Sequence, residues 1–120
     1  MELAEVLRTI DATMFMRGAD WLQEALASSR DLVVLDLRAE AAFARGHLAG
    51  SVRVGISELP DRLDLVGPSP REVVCVCNGS VQSAMAVVFL RTQGYTAFNL
   101  SGGVSSWERQ GRPLVSSTYP

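Results

Sequence analysis

The apolar residues of this chain fall into short unbroken runs separated by stripes at helical spacing, the pattern of a parallel sheet buried between helices. The strongest runs are Leu32-Val33-Val34-Leu35-Asp36, opened by Asp31, and Glu72-Val73-Val74-Cys75-Val76. Thr96-Ala97-Phe98-Asn99-Leu100 and Ser51-Val52-Arg53-Val54, the latter after a turn bracketed by Gly46 and Gly50, read as two more strands, and Thr13-Met14-Phe15-Met16 as a short one near the N-terminus. Leu3, Val6, Leu7 and Ile10 form one apolar stripe and predict a first helix. Further helices are expected over residues 21–27, capped by Asp20, and in a short stretch capped by Ser57 that ends before Gly67-Pro68. Two more should run over 84–93, stopped by Gly94, and over 104–110, closed by Gly111 and Pro113. Strands alternating with helices predict an α/β fold with a mainly parallel sheet.

Composition narrows the picture. A chain of 120 residues, 48% of them apolar, builds one hydrophobic core. Residues 1–17 read as a helical extension with the first strand, 18–115 as the domain proper and 116–120 as a loose tail. No stretch approaches the ~20 apolar residues of a membrane span. The opening Met1-Glu2-Leu3-Ala4-Glu5 carries acids where a secretory signal is basic, so a cytoplasmic protein is expected. A formal charge of -2 gives no long-range attraction to nucleic acid or anionic lipid. All eleven basic residues are arginine, a bias that reads first as codon usage and that excludes lysine Schiff-base chemistry. Two cysteines, Cys75 and Cys77, are too few and too close for a disulfide scaffold.

Candidate chemistry lies where the second strong run ends. In an open parallel sheet ligands bind beyond the carboxyl ends of the strands, where loops enter helices. Cys77 sits at such a point, followed by Asn78-Gly79-Ser80-Val81-Gln82-Ser83. Free backbone N–H groups and the positive end of a helix dipole favour a thiolate there, and the thiolate is the nucleophilic form. The plainer reading makes Cys77 a small core residue ending a strand. Its setting among Gly, Ser and Asn argues for the nucleophile.

Two sets of motifs resemble the rhodanese family. Leu35-Asp36-Leu37-Arg38 followed by Phe43-Ala44-Arg45-Gly46-His47-Leu48-Ala49-Gly50-Ser51 is similar to the family's Asp-x-Arg strand end and Gly-His-Ile-Pro-Gly-Ala turn. Farther on come Cys77 with its six-residue loop, Gly94-Tyr95, Leu100-Ser101-Gly102-Gly103, Trp107 and Gly111-Arg112-Pro113, all in the family's order. The resemblance covers about residues 19–115 and implies a three-layer sandwich, a mainly parallel five-stranded sheet flanked by helices. It also implies a sulfurtransferase in which Cys77 takes sulfane sulfur as a persulfide. The donor would be thiosulfate or a protein persulfide and the acceptor a thiol or cyanide, with no metal or organic cofactor because the cysteine carries the sulfur.

The active loop departs from the family's Cys-x-x-Gly-x-Arg-Ser. Ser80 stands in the glycine's place, Gln82 in the arginine's, Gly79 comes one place early, and Ser83 is kept. Losing a charge-assisted bond to an anionic donor costs on the order of 1.5 to 3 kcal/mol, a ten- to hundredfold fall in thiosulfate turnover. A less charged donor is therefore favoured. The rival reading is a rhodanese-fold module without catalysis that serves protein interaction, with the N-terminal stripe as its docking face. Phosphatase chemistry, which this fold also hosts, lacks its oxyanion clamp at both Gln82 and Ser83.

Other residues near the loop have less specific roles. His47, the lone histidine, matches a structural position of the family and leaves at most one imidazole for Cys77. Asp36 and Arg38 read as an ion pair fixing the strand end, or as groups facing the site. Ser83 is expected to cap the helix or to bond the Cys77 sulfur. Cys75 shares a sheet face with Cys77 and is a resolving thiol or, better given strand geometry, a core residue. Trp21 and Trp107 read as core anchors.

Overall fold

The computed structural model describes residues 15–116, so the expected first helix and most of the tail lie outside it. The elements in chain order are β1 (Met16–Arg17), α1 (Ala19–Ala27), β2 (Leu32–Asp36), α2 (Glu40–Arg45) and β3 (Val52–Arg53). Two 3-10 turns (Leu59–Asp61 and Leu63–Leu65) lead to β4 (Glu72–Val76), α3 (Val81–Thr92), β5 (Thr96–Leu100) and α4 (Gly103–Arg109). The strands form one sheet in the order β1-β5-β4-β2-β3, with every neighbouring pair parallel. The two strongest apolar runs, β2 and β4, lie side by side at its centre, in register from Leu32 opposite Glu72 to Asp36 opposite Val76.

Strand side chains alternate between faces, and the alternation sorts the core into two halves. Val33, Leu35, Val73, Cys75 and Ala97 pack on one face against Ala86, Val87 and Leu90 of α3 and against Leu59 and Val66 of the turn segment. Val34, Val74, Val76 and Leu100 pack on the other against Leu22 of α1 and Val104 and Trp107 of α4. The result is the expected three-layer sandwich. Cys77 continues the odd-numbered row, so its side chain belongs to the α3 face.

Helix ends follow local chemistry. Gly94, at φ +93°, takes the left-handed conformation after α3, and Tyr95 N–H reaches back to Leu90 O while Gly94 N–H reaches Arg91 O. That double bond pattern closes a helix with a glycine past its end. Several expectations need correction. Gly18, not Asp20, is the N-cap of α1, with no side-chain cap; Asp20 sits in the first turn and pairs with Arg112 at 2.6 Å. The stretch expected to form a Ser57-capped helix makes only the two 3-10 turns, neither with a side-chain cap. Pro60 in the first turn lacks the N–H that a longer helix would use. Helix α2 was not expected. Glu-Ala-Ala-Phe-Ala-Arg is rich in good helix formers but too short to display a periodic stripe.

At the strand end, Asp36 is fully buried and Arg38 nearly so. The guanidinium meets the carboxylate through two donors, Nε at 3.0 Å and Nη2 at 2.8 Å, and Nη2 also donates to Gly46 O at 2.7 Å. The Arg38 amide bonds the same carboxylate, and Arg53 Nε donates to Arg38 O. Nearby, His47 Nδ1 lies 2.7 Å from Phe43 O and its ring stacks on Phe43 at 3.8 Å. Among the described residues no helix is long and apolar enough to cross a membrane.

Removing one partner of a buried pair leaves the other charged and dry. Asp36→Asn is accordingly expected to lower the unfolding free energy by about 3 to 5 kcal/mol, as read from urea denaturation followed by tryptophan fluorescence.

Candidate active site

Cys77 is the first residue after β4, and the helix behind it begins earlier than the sequence suggested, at Val81 with Ser80 as N-cap. The turn is therefore only Cys77 to Ser80, and residues 81–83 form the first turn of α3. Ser83 does not cap that helix. It is its third residue, fully buried, with Oγ 3.2 Å from Cys77 Sγ. The sulfur thus lies under the opening turn of α3, where unpaired N–H groups and the positive end of the helix dipole are found.

What fixes the loop is the start of α4. Val104 N–H donates to Cys77 O at 2.9 Å and Ser105 N–H to Asn78 O at 3.0 Å. A trans peptide points its N–H opposite to its C=O. Carbonyls 77 and 78 turned toward α4 therefore turn the N–H groups of Asn78 and Gly79 away from it. Gly103 permits this approach. It has φ +59°, and a Cβ there would fall on the carbonyl oxygens of Cys77, Asn78 and Gly79.

A residue that the sequence reading passed over completes the site. Asn99 is buried in β5, and β5 lies beside β4 with Asn99 opposite Cys75. It shares the α3 face with Ala97 and the two cysteines. Ser83 Oγ donates to Asn99 Oδ1 at 2.6 Å, and Asn99 Nδ2 donates to Ser80 O at 3.0 Å. The second bond fixes which way the amide points, because the flipped amide would face Ser80 O with an oxygen. Since the serine hydroxyl has one hydrogen and gives it to Asn99, the Cys77 thiol is the donor in the contact with Ser83. The available signal was a polar residue on the buried face of a strand, two places beyond Ala97.

The remaining expected residues divide by position. Cys77, Asn78, Gly79, Ser80, Val81 and Gln82 line a cavity of about 230 Å³, and no cation is among them. Gln82 is exposed. Asp36, Arg38 and His47 do not line this cavity. Arg38 lines a second cavity that shares Asn78 with the first. Cys75 is fully buried and both cysteines are free thiols. Burial pushes the Cys75 thiol up, and the neighbouring Cys77 pushes it further. Among the described residues no group of three His, Cys, Asp or Glu side chains is placed to hold a metal ion.

A cysteine at the tip of a central parallel strand, under a helix N-terminus and backed by a glycine pair, marks a cysteine-centred α/β domain, and the comparisons give its family. The chain matches the rhodanese-like domain over residues 18–110 and belongs to that family. It is 32% identical over 96 residues to a sulfurtransferase of Allochromatium vinosum, covering 79% of this chain and 89% of that one. It is 35% identical over 90 residues to the thiosulfate sulfurtransferase GlpE of Stutzerimonas stutzeri, covering 73% of each. The structure of a rhodanese-like domain protein from Staphylococcus aureus superposes with a TM-score of 0.76 at 26% identity, over 88% of this chain and 100% of that chain. A rhodanese-related protein from Thermoplasma volcanium gives 0.75 at 29% identity, over 83% and 96%.

Two outcomes follow from the geometry. Gly103→Ala forces a side chain onto three backbone oxygens at a left-handed position. It should cost about 1 to 3 kcal/mol and open the loop, so that iodoacetamide labels Cys77 roughly tenfold faster while Cys75 stays unlabelled, as peptide mass mapping will show. The second concerns pH. The folded Cys75 holds its proton above the ordinary thiol value of about 8.5, so the unfolded chain releases that proton first. Stability should therefore fall as pH rises beyond about 8.5, by up to about 1.4 kcal/mol per pH unit. Cys75→Ala should make that fall shallower in denaturation curves between pH 8 and about 10.5.

Proposed function

We propose that this domain is a rhodanese-type sulfurtransferase that carries sulfane sulfur on Cys77. The observation that carries this reading is the orientation of the loop, whose carbonyls at Cys77 and Asn78 are held by α4 and whose next N–H groups are turned the other way. In the first half-reaction the Cys77 thiolate attacks the outer sulfur of a donor. A sulfur–sulfur bond forms at Cys77 Sγ, the donor's own bond to that sulfur breaks, and its electron pair leaves with the remainder, sulfite when the donor is thiosulfate. The outer persulfide sulfur then carries the negative charge, facing backbone N–H groups and the first turn of α3. Ser83 serves both states. Its hydroxyl accepts from the resting thiol and, by turning from Asn99, donates to a charged sulfur.

The donor that suits this site is less anionic than thiosulfate. Around Cys77 the cavity offers a neutral amide at Gln82 and no cation, whereas Val81 in its lining and Met85 one turn farther along α3 present 78% and 60% of their surface to solvent. An apolar rim fits a protein persulfide better than a small dianion. The same neutral loop favours a second reading, a rhodanese-fold module that binds a partner without moving sulfur.

Intact mass separates the two. Reduced protein treated with thiosulfate, 3-mercaptopyruvate or polysulfide should gain one sulfur, and Cys77→Ser should gain none. No gain from any donor would reject sulfur transfer in favour of the binding module. Gln82→Arg restores a charge-assisted bond to the donor and should raise thiosulfate turnover about ten- to hundredfold, measured as thiocyanate formed with cyanide.

A further inference from the structure

A cavity larger than the one around the sulfur lies beside it. It measures about 450 Å³ and is walled by Arg38, Ala42, Arg45, Asn78, Glu108 and Leu114 among others. Its place is set by topology. The chain passes from β2 outward to β3 and then crosses back to β4 on the other side of β2, so the order of the sheet reverses between β2 and β4. A crevice at such a reversal, outside the carboxyl ends of the strands, is where open α/β sheets take ligands. Arg38 follows β2 and Asn78 follows β4, so this cavity occupies that crevice. Asn78 also walls the Cys77 cavity, which makes the two cavities neighbours across one side chain.

The charges on its walls are specific. Arg38 is matched by Asp36 and Gly46 O and adds no net charge to the cavity. Arg45, at the end of α2, and Glu108, in α4, are both exposed, and neither is part of the ion pairs among the described residues. Among the described residues, one cation and one anion outside any ion pair thus face a single cavity from two different helices. A dianion would meet Glu108 as a like charge. A ligand with an ammonium and a carboxylate of its own would match both.

We infer that this cavity binds a zwitterionic thiol, an amino acid or short peptide whose carboxylate meets Arg45 and whose ammonium meets Glu108, with its sulfur directed past Asn78 toward Cys77. A volume of about 450 Å³ lies within the ordinary range for small-ligand sites, about 300 to 1,000 Å³. Its service as the sulfur acceptor rests on the proposed role of Cys77; its binding does not. In the transfer, the acceptor thiolate attacks the outer sulfur of the Cys77 persulfide, and a new sulfur–sulfur bond forms on the acceptor. The acceptor thiol's proton passes to the anionic outer sulfur as its thiolate forms. The bond from that sulfur to Cys77 Sγ breaks with its electron pair staying on Sγ, and the proton leaves with the outer sulfur on the acceptor. No oxidant or reductant is consumed.

Binding is tested first with unreactive probes, S-methyl-L-cysteine and S-methylglutathione, titrated into the full chain carrying Cys77→Ser and followed by amide chemical shifts. Saturable shifts are expected at residues 42–46, 78 and 108, weakened about five- to tenfold by Arg45→Gln and by Glu108→Gln. The methylthio-propanoate that lacks the ammonium should bind weakly and be indifferent to Glu108→Gln. If only the peptide probe binds, the acceptor is a peptide thiol; if both do, the free amino acid suffices. No saturable binding by either, or binding that both substitutions leave untouched, overturns the site. Sulfur transfer is then measured with wild-type Cys77. Both substitutions should raise the KM for L-cysteine or glutathione and lower turnover with these thiols relative to turnover with cyanide, which has no groups for either residue. Unchanged thiol KM values beside working cyanide turnover overturn the acceptor role alone. A wild type that transfers sulfur to neither acceptor overturns both that role and the function proposed above.

Discussion

Everything at the candidate site depends on two hydrogen bonds that lie behind it, from the first amides of α4 to the carbonyls of Cys77 and Asn78. Each is worth only about 1 kcal/mol as a net contribution to stability. Their consequence is geometric. Because a peptide is planar and trans, a carbonyl pinned on one side aims the next N–H to the other. The helix start that makes the bonds also supplies unpaired donors of its own, which would otherwise need water or a cap. Gly102 and Gly103, both at positive φ, turn the chain from β5 into α4 so tightly that the loop and the helix touch. Any side chain at 103 would occupy the space of the loop oxygens. The glycine pair is therefore as much part of the loop as the cysteine, although more than twenty residues separate them.

The sheet delivers the other half of the arrangement. Parallel strands that all end at one edge bring the ends of β2, β4 and β5 together. Alternation then decides what each strand contributes there. Cys75, Cys77 and Asn99 share the α3 face, and from α3 Ser83 comes down onto the sulfur and the amide together. Asp36 lies in register with Val76, one residue before Cys77, where its buried pair with Arg38 also holds Gly46 O and so anchors the end of α2. The two cavities inherit their different characters from this. The one around Cys77 is lined by backbone and neutral side chains, whereas the one between β2 and β4 is lined by charge from two helices.

The central strands β2, β4 and β5 were legible to the residue, because a run of branched apolar side chains flanked by polar breaks has no other stable use in a chain this short. The ends of helices were read less well. At α3 the sequence Val81-Gln82-Ser83 looked like loop because the first turn has no side-chain cap and its one buried residue, Ser83, is polar, the apolar stripe starting only at Ala86. Helix α2 was hidden by its length. Of the site, Cys77 and its loop could be found from the strand-to-helix junction, and Ser83 from its place in the motif. Asn99 could not be found by motif, since its importance comes from register: only pairing β5 beside β4 brings it to the cysteine face. The pair of Arg45 and Glu108 was invisible for the same reason, being assembled from two helices that are far apart along the chain.

Register also bears on how a loop without arginine would serve the sulfur carrier proposed above. A full cation near the sulfur has its greatest effect on a donor that arrives with two charges, whereas a persulfide carries at most one. For that single charge, fixed backbone dipoles in a site already shielded from water are effective without a counter-ion. Cys77 is 4% exposed and its hydroxyl partner is entirely buried, so the dipoles around them act with little solvent screening. The hydroxyl of Ser83 adds a donor within reach of the sulfur, which in the proposed carrier turns from Asn99 to the sulfur when the sulfur becomes charged. Asn99 in turn keeps a second bond to Ser80 O when the hydroxyl turns away, so its amide stays in place through the change. In the proposed carrier Gln82 thus bears on which donors are drawn to the site, while the groups proposed to hold the transferred sulfur lie in the backbone of residues 77–81, in Ser83 and in the strand behind them.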